Sequence, residues 1–211
     1  VLVTRLFLIP LVLVLLIVLL CLILFLASCN SDESTIESAT IEEVKIEPTN
    51  ETKGMRAFDL RAHELDIHIW IPEKFYNDEE DLPRFVEPLI NHNEGEARWE
   101  ITVPGDRHWN MVIEELGKDS TSISDEIERH ATIPFFSFNY EDVTDEQMIY
   151  NRLLKSENTT LDSSEIELLP NYHFYCSRDI NNYHLVFRNH EMKDFRKITI
   201  KKMLASARNA Y

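Results

Sequence analysis

Residues 173–188 read His173-Phe174-Tyr175-Cys176-Ser177-Arg178-Asp179-Ile180-Asn181-Asn182-Tyr183-His184-Leu185-Val186-Phe187-Arg188. Two runs of alternating side chains flank a polar centre, the pattern of an antiparallel hairpin. A four-residue loop, Asp179-Ile180-Asn181-Asn182, pairs Arg178 with Tyr183. Phe174 then opposes Phe187, and Cys176 opposes Leu185, on one apolar face. The other face stacks Tyr175 on Val186 and sets His173 opposite Arg188. A register that segregates one apolar face is self-consistent, because a one-residue slip would turn that face to water.

The same alternation recurs upstream. Leu65, Ile67, Ile69 and Ile71 alternate with Asp66, His68 and Trp70, giving a half-buried strand closed by Pro72. Trp99, Ile101 and Val103 alternate with Arg98, Glu100 and Thr102. Pro104-Gly105-Asp106 supplies turn chemistry, and His108 to Glu115 returns as the second strand. Phe135 to Tyr140 and Gln147 to Lys155 form another pair around an acidic turn. Two segments carry helical spacing instead. Ser122 to Ala131 places Ile123, Ile127 and Ala131 at i, i+4 and i+8 behind a Ser/Asp-rich start. The C-terminal helix is expected from Thr199 as N-cap, with Ile198 and Met203 as a hydrophobic staple. Ile200, Met203, Leu204 and Ala207 form its buried stripe, and Lys201, Lys202 and Arg208 face water. The order of elements predicts an α+β fold, an antiparallel sheet of about six to seven strands flanked by helices.

Ahead of this domain, expected over residues 55–211, lie two segments of different composition. Residues 30–54 hold seven Ser/Thr, seven acids, two Lys and no aromatic side chain. Too little of that is apolar to fold, so residues 29–54 read as a flexible acidic tether, about 25–30 Å in root-mean-square span. Residues 6–28 are uncharged and almost wholly apolar, preceded by the single base Arg5. Their length would let them cross a bilayer as an uncleaved anchor, and the alternative is a cleaved signal sequence over residues 1–28. In both cases Arg5 stays inside and the acidic body is carried across.

The segment ends in Leu26-Ala27-Ser28-Cys29, which resembles the bacterial lipobox: a leucine, two small residues and a cysteine. The resemblance implies diacylglyceryl addition to the Cys29 thiol, cleavage between Ser28 and Cys29, and palmitate-type acylation of the new amino terminus. Several acyl chains hold a domain far more durably than one. The acidic run Asn30-Ser31-Asp32-Glu33 is similar to the surface-export signals of some Bacteroidetes lipoproteins, and the chain resembles uncharacterised lipoproteins of that group. Over residues 58–209 the element order resembles the Mog1/PsbP-like fold, and Ile69-Trp70-Ile71-Pro72 echoes that family's first strand. The likeness implies a binding or assembly subunit and carries no functional residue across.

Charge and motifs narrow the rest. The chain has 21 Lys and Arg against 37 Asp and Glu, a net charge of −16. Without residues 1–28 the balance is 20 bases to 37 acids, or −17. A body this acidic builds no footprint for phosphate backbones, which excludes a nucleic-acid partner. With four Gly and no glycine-rich phosphate loop, nucleotide cofactors are not expected either. Cys176 would be the one thiol left in the mature chain, and it falls on the apolar hairpin face, where a thiol packs and does not react. The eight His form no recognised metal spacing; His68, His173 and His184 are the candidates for a His/carboxylate metal site. The acidic runs Asp78-Glu79-Glu80-Asp81 and Glu141-Asp142…Asp145-Glu146 lack the ligand order of a calcium loop and read as solvated turns. Trp70, His68, Trp99, Trp109, Tyr172 and Tyr175 are large enough to form a recognition patch if the helices leave them uncovered. The expected function is therefore a lipid-anchored domain of the bacterial envelope, outside the cytoplasm, that binds a protein partner. An envelope enzyme with a metal site is the alternative.

Overall fold

The structure, a computed structural model, describes residues 47–73, 75–76, 83–84, 87–103, 109–117, 122–155 and 161–211. The elements in chain order are β1 (Met55–Asp59), β2 (His68–Pro72), β3 (Phe75–Tyr76), β4 (Pro83–Arg84), β5 (Leu89–Asn91), β6 (Arg98–Thr102) and β7 (Asn110–Glu115). They continue with α1 (Ile123–Ala131), β8 (Phe136–Glu141), β9 (Gln147–Leu154), α2 (Ser163–Leu168), β10 (Tyr172–Ile180), β11 (Tyr183–Asn189) and α3 (Lys197–Arg208). Seven strands form one sheet in the spatial order β5-β6-β7-β11-β10-β9-β8, antiparallel throughout. The fold is α+β, as the element order predicts.

The β10–β11 hairpin differs from the expected register by two residues. Its turn is Asn181-Asn182 alone, so Ile180 pairs with Tyr183, Arg178 with Leu185 and Cys176 with Phe187. Tyr175 consequently opposes Arg188, and Ser177 opposes Val186. Both asparagines sit in the left-handed region, at φ 49° and 69°. Two successive left-handed residues match the right-handed twist of the flanking strands, and Asn tolerates that conformation better than other side chains with a Cβ. Asn181 Nδ2 also donates to the Asp66 carbonyl at 2.8 Å. A shift by two preserves the pleat, so the apolar face stays intact.

That face carries Trp99, Ile101, Met111, Ile113, Leu185, Phe187, Phe174, Cys176 and Ile149 into the main core. The β1–β2 ribbon and α3 add Ile69, Ile71, Ile200, Met203, Leu204 and Ala207 to the same cluster. The predicted stripe of α3 is thus correct, but its start is not. The helix begins at Lys197 behind Arg196, whose side chain makes no cap bond, and Ile198 is 67 % exposed. Thr199 lies inside the first turn, so no Ile198–Met203 staple forms. The buried pair at the N′ and N4 positions is Phe195 and Ile200, because Tyr172 N–H donates to the Phe195 carbonyl (2.9 Å) and fixes the chain before the helix.

β2 lies outside the seven-stranded sheet and pairs with β1. Its other edge is closed by the C terminus: His68 N–H donates to the Tyr211 carbonyl (2.6 Å), and Tyr211 N–H donates to that of His68 (3.1 Å). Fully buried Ser206 accepts from Trp70 N–H at 3.1 Å and donates back to the Trp70 carbonyl. The compact unit opens at Glu47, ahead of Met55. Residues 47–54, polar enough to read as tether, are held by Thr52, which is fully buried, and by Glu51, which pairs with Arg208 at 3.1 Å.

Candidate binding edge

β8 is a sheet edge of six residues, Phe136-Ser137-Phe138-Asn139-Tyr140-Glu141. Its hydrogen-bond phase follows from one contact: Lys155 N–H donates to the Phe135 carbonyl at 3.0 Å. In an antiparallel pair, bonded and non-bonded positions alternate. Residues 135, 137, 139 and 141 therefore turn their backbone groups toward β9. Arg152 N–H confirms this from the far side of β9 by donating to Asn171 on the β10 side. The N–H and C=O groups of Phe136, Phe138 and Tyr140 point outward, with no partner strand among the described residues.

Side chains sort to two faces. Phe136, Phe138 and Tyr140 form a half-buried aromatic row, with ring centroids 6.2 Å and 6.4 Å apart along it. α1 lies over this face. It starts with a capping box in which Ser122 and Asp125 satisfy each other's backbone N–H, and its last turn carries His130, 2 % exposed. The His130 ring stacks on Phe138 at 4.4 Å and lies against Tyr150 at 4.5 Å. Its Nδ1 is 3.2 Å from the Tyr140 hydroxyl, and its Nε2 is 3.4 Å from Glu126. Burial pushes the Glu126 carboxyl up, but hydrogen bonds from Arg129 and His130 outweigh it and hold the group at about 2. Burial raises the Tyr150 hydroxyl well above the usual phenol range.

Tyr150 stacks in turn on His173 at 5.2 Å. Phe174 N–H donates to Asn189 Oδ1 (3.0 Å), so the Asn189 amide nitrogen faces His173 Nδ1 and donates to it at 2.8 Å. Nδ1 is thereby an acceptor, and Nε2–H donates to Asp194 at 3.1 Å. His173 is neutral in this arrangement, and burial depresses its proton affinity despite Asp194. Arg152 closes the chain by binding Asp194 at 2.6 Å. Every polar atom of His173 is committed to a structural partner.

On the opposite face, Asn139, Glu141, Asn151, Ile166, Glu167 and Tyr172 line a cleft of about 530 Å³ between the β8–β9 strands and α2. α2 begins with its own capping box, Asp162 to Glu165, a D-x-x-E signature that the strand-based reading passed over. Lys197 sits between Glu141 (2.8 Å) and Glu167 (2.6 Å) with its ammonium over the Tyr172 ring. The two carboxylates raise its proton affinity.

The other candidates separate. His68 stacks on Tyr211 at 4.9 Å and lies 3.9 Å from Asp59. His184 bonds Asp179 at 2.6 Å and Ser177 at 3.2 Å. His68, His173 and His184 share no partner, and among the described residues no group of three or more His, Cys, Asp or Glu is placed to hold a metal ion. Cys176 is 1 % exposed, and burial pushes its thiol up to about 11. Trp70, Trp99, Trp109, Tyr172 and Tyr175 are all buried, so they form no recognition patch. Among the described aromatic side chains Phe135 is exposed, and the β8 row is half-buried, as are Phe58, Tyr150, Tyr183 and Tyr211. Glu141 to Glu146 turn the chain between β8 and β9, while Asp78 to Asp81, Ser28 and Cys29 lie outside the described residues. Among the described residues no helix is long and apolar enough to cross a membrane, and residues 6–28 are not among them. The chain matches no protein-family profile, no curated protein and no solved structure.

Proposed function

We propose that this chain is a lipid-anchored protein of the bacterial envelope whose domain, outside the cytoplasm, binds a protein partner and is not an enzyme. Leu26-Ala27-Ser28-Cys29 supports the location, with Cys29 as the acylated residue and Ser28–Cys29 as the cleaved bond. The binding role rests on one observation: among the described residues no strand pairs with the outward backbone groups of β8, which lie between an aromatic row and a polar cleft. The likeness to Mog1/PsbP-like assembly subunits rests on element order alone and fits a binding role. The acidic body favours a protein over a nucleic acid.

The test is metabolic labelling of the full chain in a bacterium with an alkyne analogue of palmitate. Label on the wild type and none on Cys29→Ser is the expected result, together with cleavage of the domain by protease added outside spheroplasts. Label retained by Cys29→Ser, or a domain protected from that protease, would overturn the location. Turnover of an ester, glycoside or peptide substrate that one polar substitution abolishes would overturn the non-catalytic role.

A further inference from the structure

We infer that β8 takes up an extended segment of a partner protein as an eighth strand, and that this segment is apolar at every second position with Lys or Arg between. The inference rests on the binding role proposed above and names the chemistry of its partner.

Protein edges are normally blunted by Lys, Pro, a bulge or shortness. β8 has none of these, whereas β5 at the other end of the sheet is only three residues long. The outer edge of β2 is closed by Tyr211. Phe136, Phe138 and Tyr140 offer three N–H donors and three carbonyl acceptors in strand phase, the ladder that strand addition uses.

An added strand alternates its side chains as β8 does. One set falls beside the aromatic row, where aliphatic and aromatic cross-strand pairs are favourable. The other falls beside Ser137, Asn139 and Glu141, with Glu167 across the cleft. Glu141 and Glu167 share Lys197, and Lys201 also acts on Glu167, but with Glu165 on α2 and Asp162 at its N-cap the four carboxylates outnumber these two cations. A cationic segment complements this side. A second copy of the chain does not, because it would bring another body of net charge −16 and another Glu141 to the same edge.

The experiment uses the full chain in zwitterionic micelles and two labelled peptides, Lys-Val-Lys-Phe-Lys-Val-Lys and its counterpart with Glu for Lys. Fluorescence anisotropy should give at least tenfold tighter binding of the lysine peptide. Amide exchange at Phe136, Phe138 and Tyr140 should slow at least tenfold in its presence. Tyr140→Pro, which removes one outward N–H, should weaken binding at least tenfold. Glu167→Gln, at an exposed side chain, should cut the preference for the lysine peptide at least threefold, with amide exchange across β9 and β10 unchanged to show that the fold is kept. Equal binding of both peptides, or unchanged exchange on β8, would overturn the inference. Concentration-dependent dimerisation that protects β8 would also overturn it and assign the edge to a second copy. Protection on another element would overturn the β8 assignment but leave the binding role standing, so the two can fail separately.

Discussion

Replacing Asn189 tests the assignment of His173 as a neutral, structurally committed ring. Asn189 is 2 % exposed and serves two buried groups: its oxygen accepts from Phe174 N–H, and its nitrogen donates to His173 Nδ1. Asn189→Ala orphans both, at roughly 1–3 kcal/mol each, so a loss of about 3 kcal/mol is expected. For a domain of this size that corresponds to a fall in Tm of about 6–12 °C. Asn189→Asp keeps the acceptor for Phe174 but presents a carboxylate oxygen to Nδ1, which is then satisfied only when protonated. In the wild type His173 has a depressed proton affinity, so its contribution is fully present above about pH 6.5 and is lost as pH falls below that value. In Asn189→Asp the affinity is raised, and the His173 contribution is present below about pH 6.5 and lost as pH rises through the new folded value. The gap between wild type and Asn189→Asp should therefore narrow by about 1.4 kcal/mol or more from pH 8 to pH 5.5, one pKa unit of linkage. Urea unfolding followed by tryptophan fluorescence at the two pH values measures it. Parallel pH profiles for wild type and Asn189→Asp would refute the assignment.

The two-residue turn predicts that Asn182→Val destabilises by about 1–2 kcal/mol, since a β-branched residue resists φ 69°, while Asn182→Gly leaves stability equal or higher; thermal melts distinguish the pair. Ser206→Ala should cost about 2–4 kcal/mol by stranding the buried N–H and C=O of Trp70, read by urea unfolding. On acidification, the depressed carboxyls of Glu126, Glu114 and Asp194 hold stability that is present above about pH 4.5 and is lost as pH falls through their folded values, about 2 for Glu126. Glu126→Gln should flatten that decline, as followed by circular dichroism between pH 5 and pH 2.

Local pattern was sufficient for much of this protein. The alternation in residues 98–103, 135–140 and 173–187 marks strands because side chains in a strand take opposite faces whatever the partner. The i, i+4 spacing of Ile123 and Ile127 and the stripe Ile200-Met203-Leu204-Ala207 marked two helices for the same kind of reason. The short α2 carries a local signal of its own, the capping box Asp162-Ser163-Ser164-Glu165, without a long apolar period beside it.

The misreadings arose where a distant contact overrides a local preference. Thr199 is a better N-cap than Arg196 by chemistry, yet Phe195 bonded to Tyr172 starts α3 earlier. Residues 47–54 are polar enough for a tether, yet Arg208 and Asn209 hold them to the end of α3. His173 looked like a candidate ligand because no sequence shows that Asn189, Asp194 and Tyr150 surround it.

The sequence by itself determined the class of fold, the apolar face of the last hairpin, the acidity of the body and the lipobox-like string, because each depends on neighbours along the chain. Only the tertiary structure decided that β8 lies at the edge, that His130 joins its aromatic row, and that α2 and Lys197 build a cleft beside it. Strand order is set by which pairings bury the most surface across the whole domain. That sum involves residues far apart in sequence, so no single stretch records it.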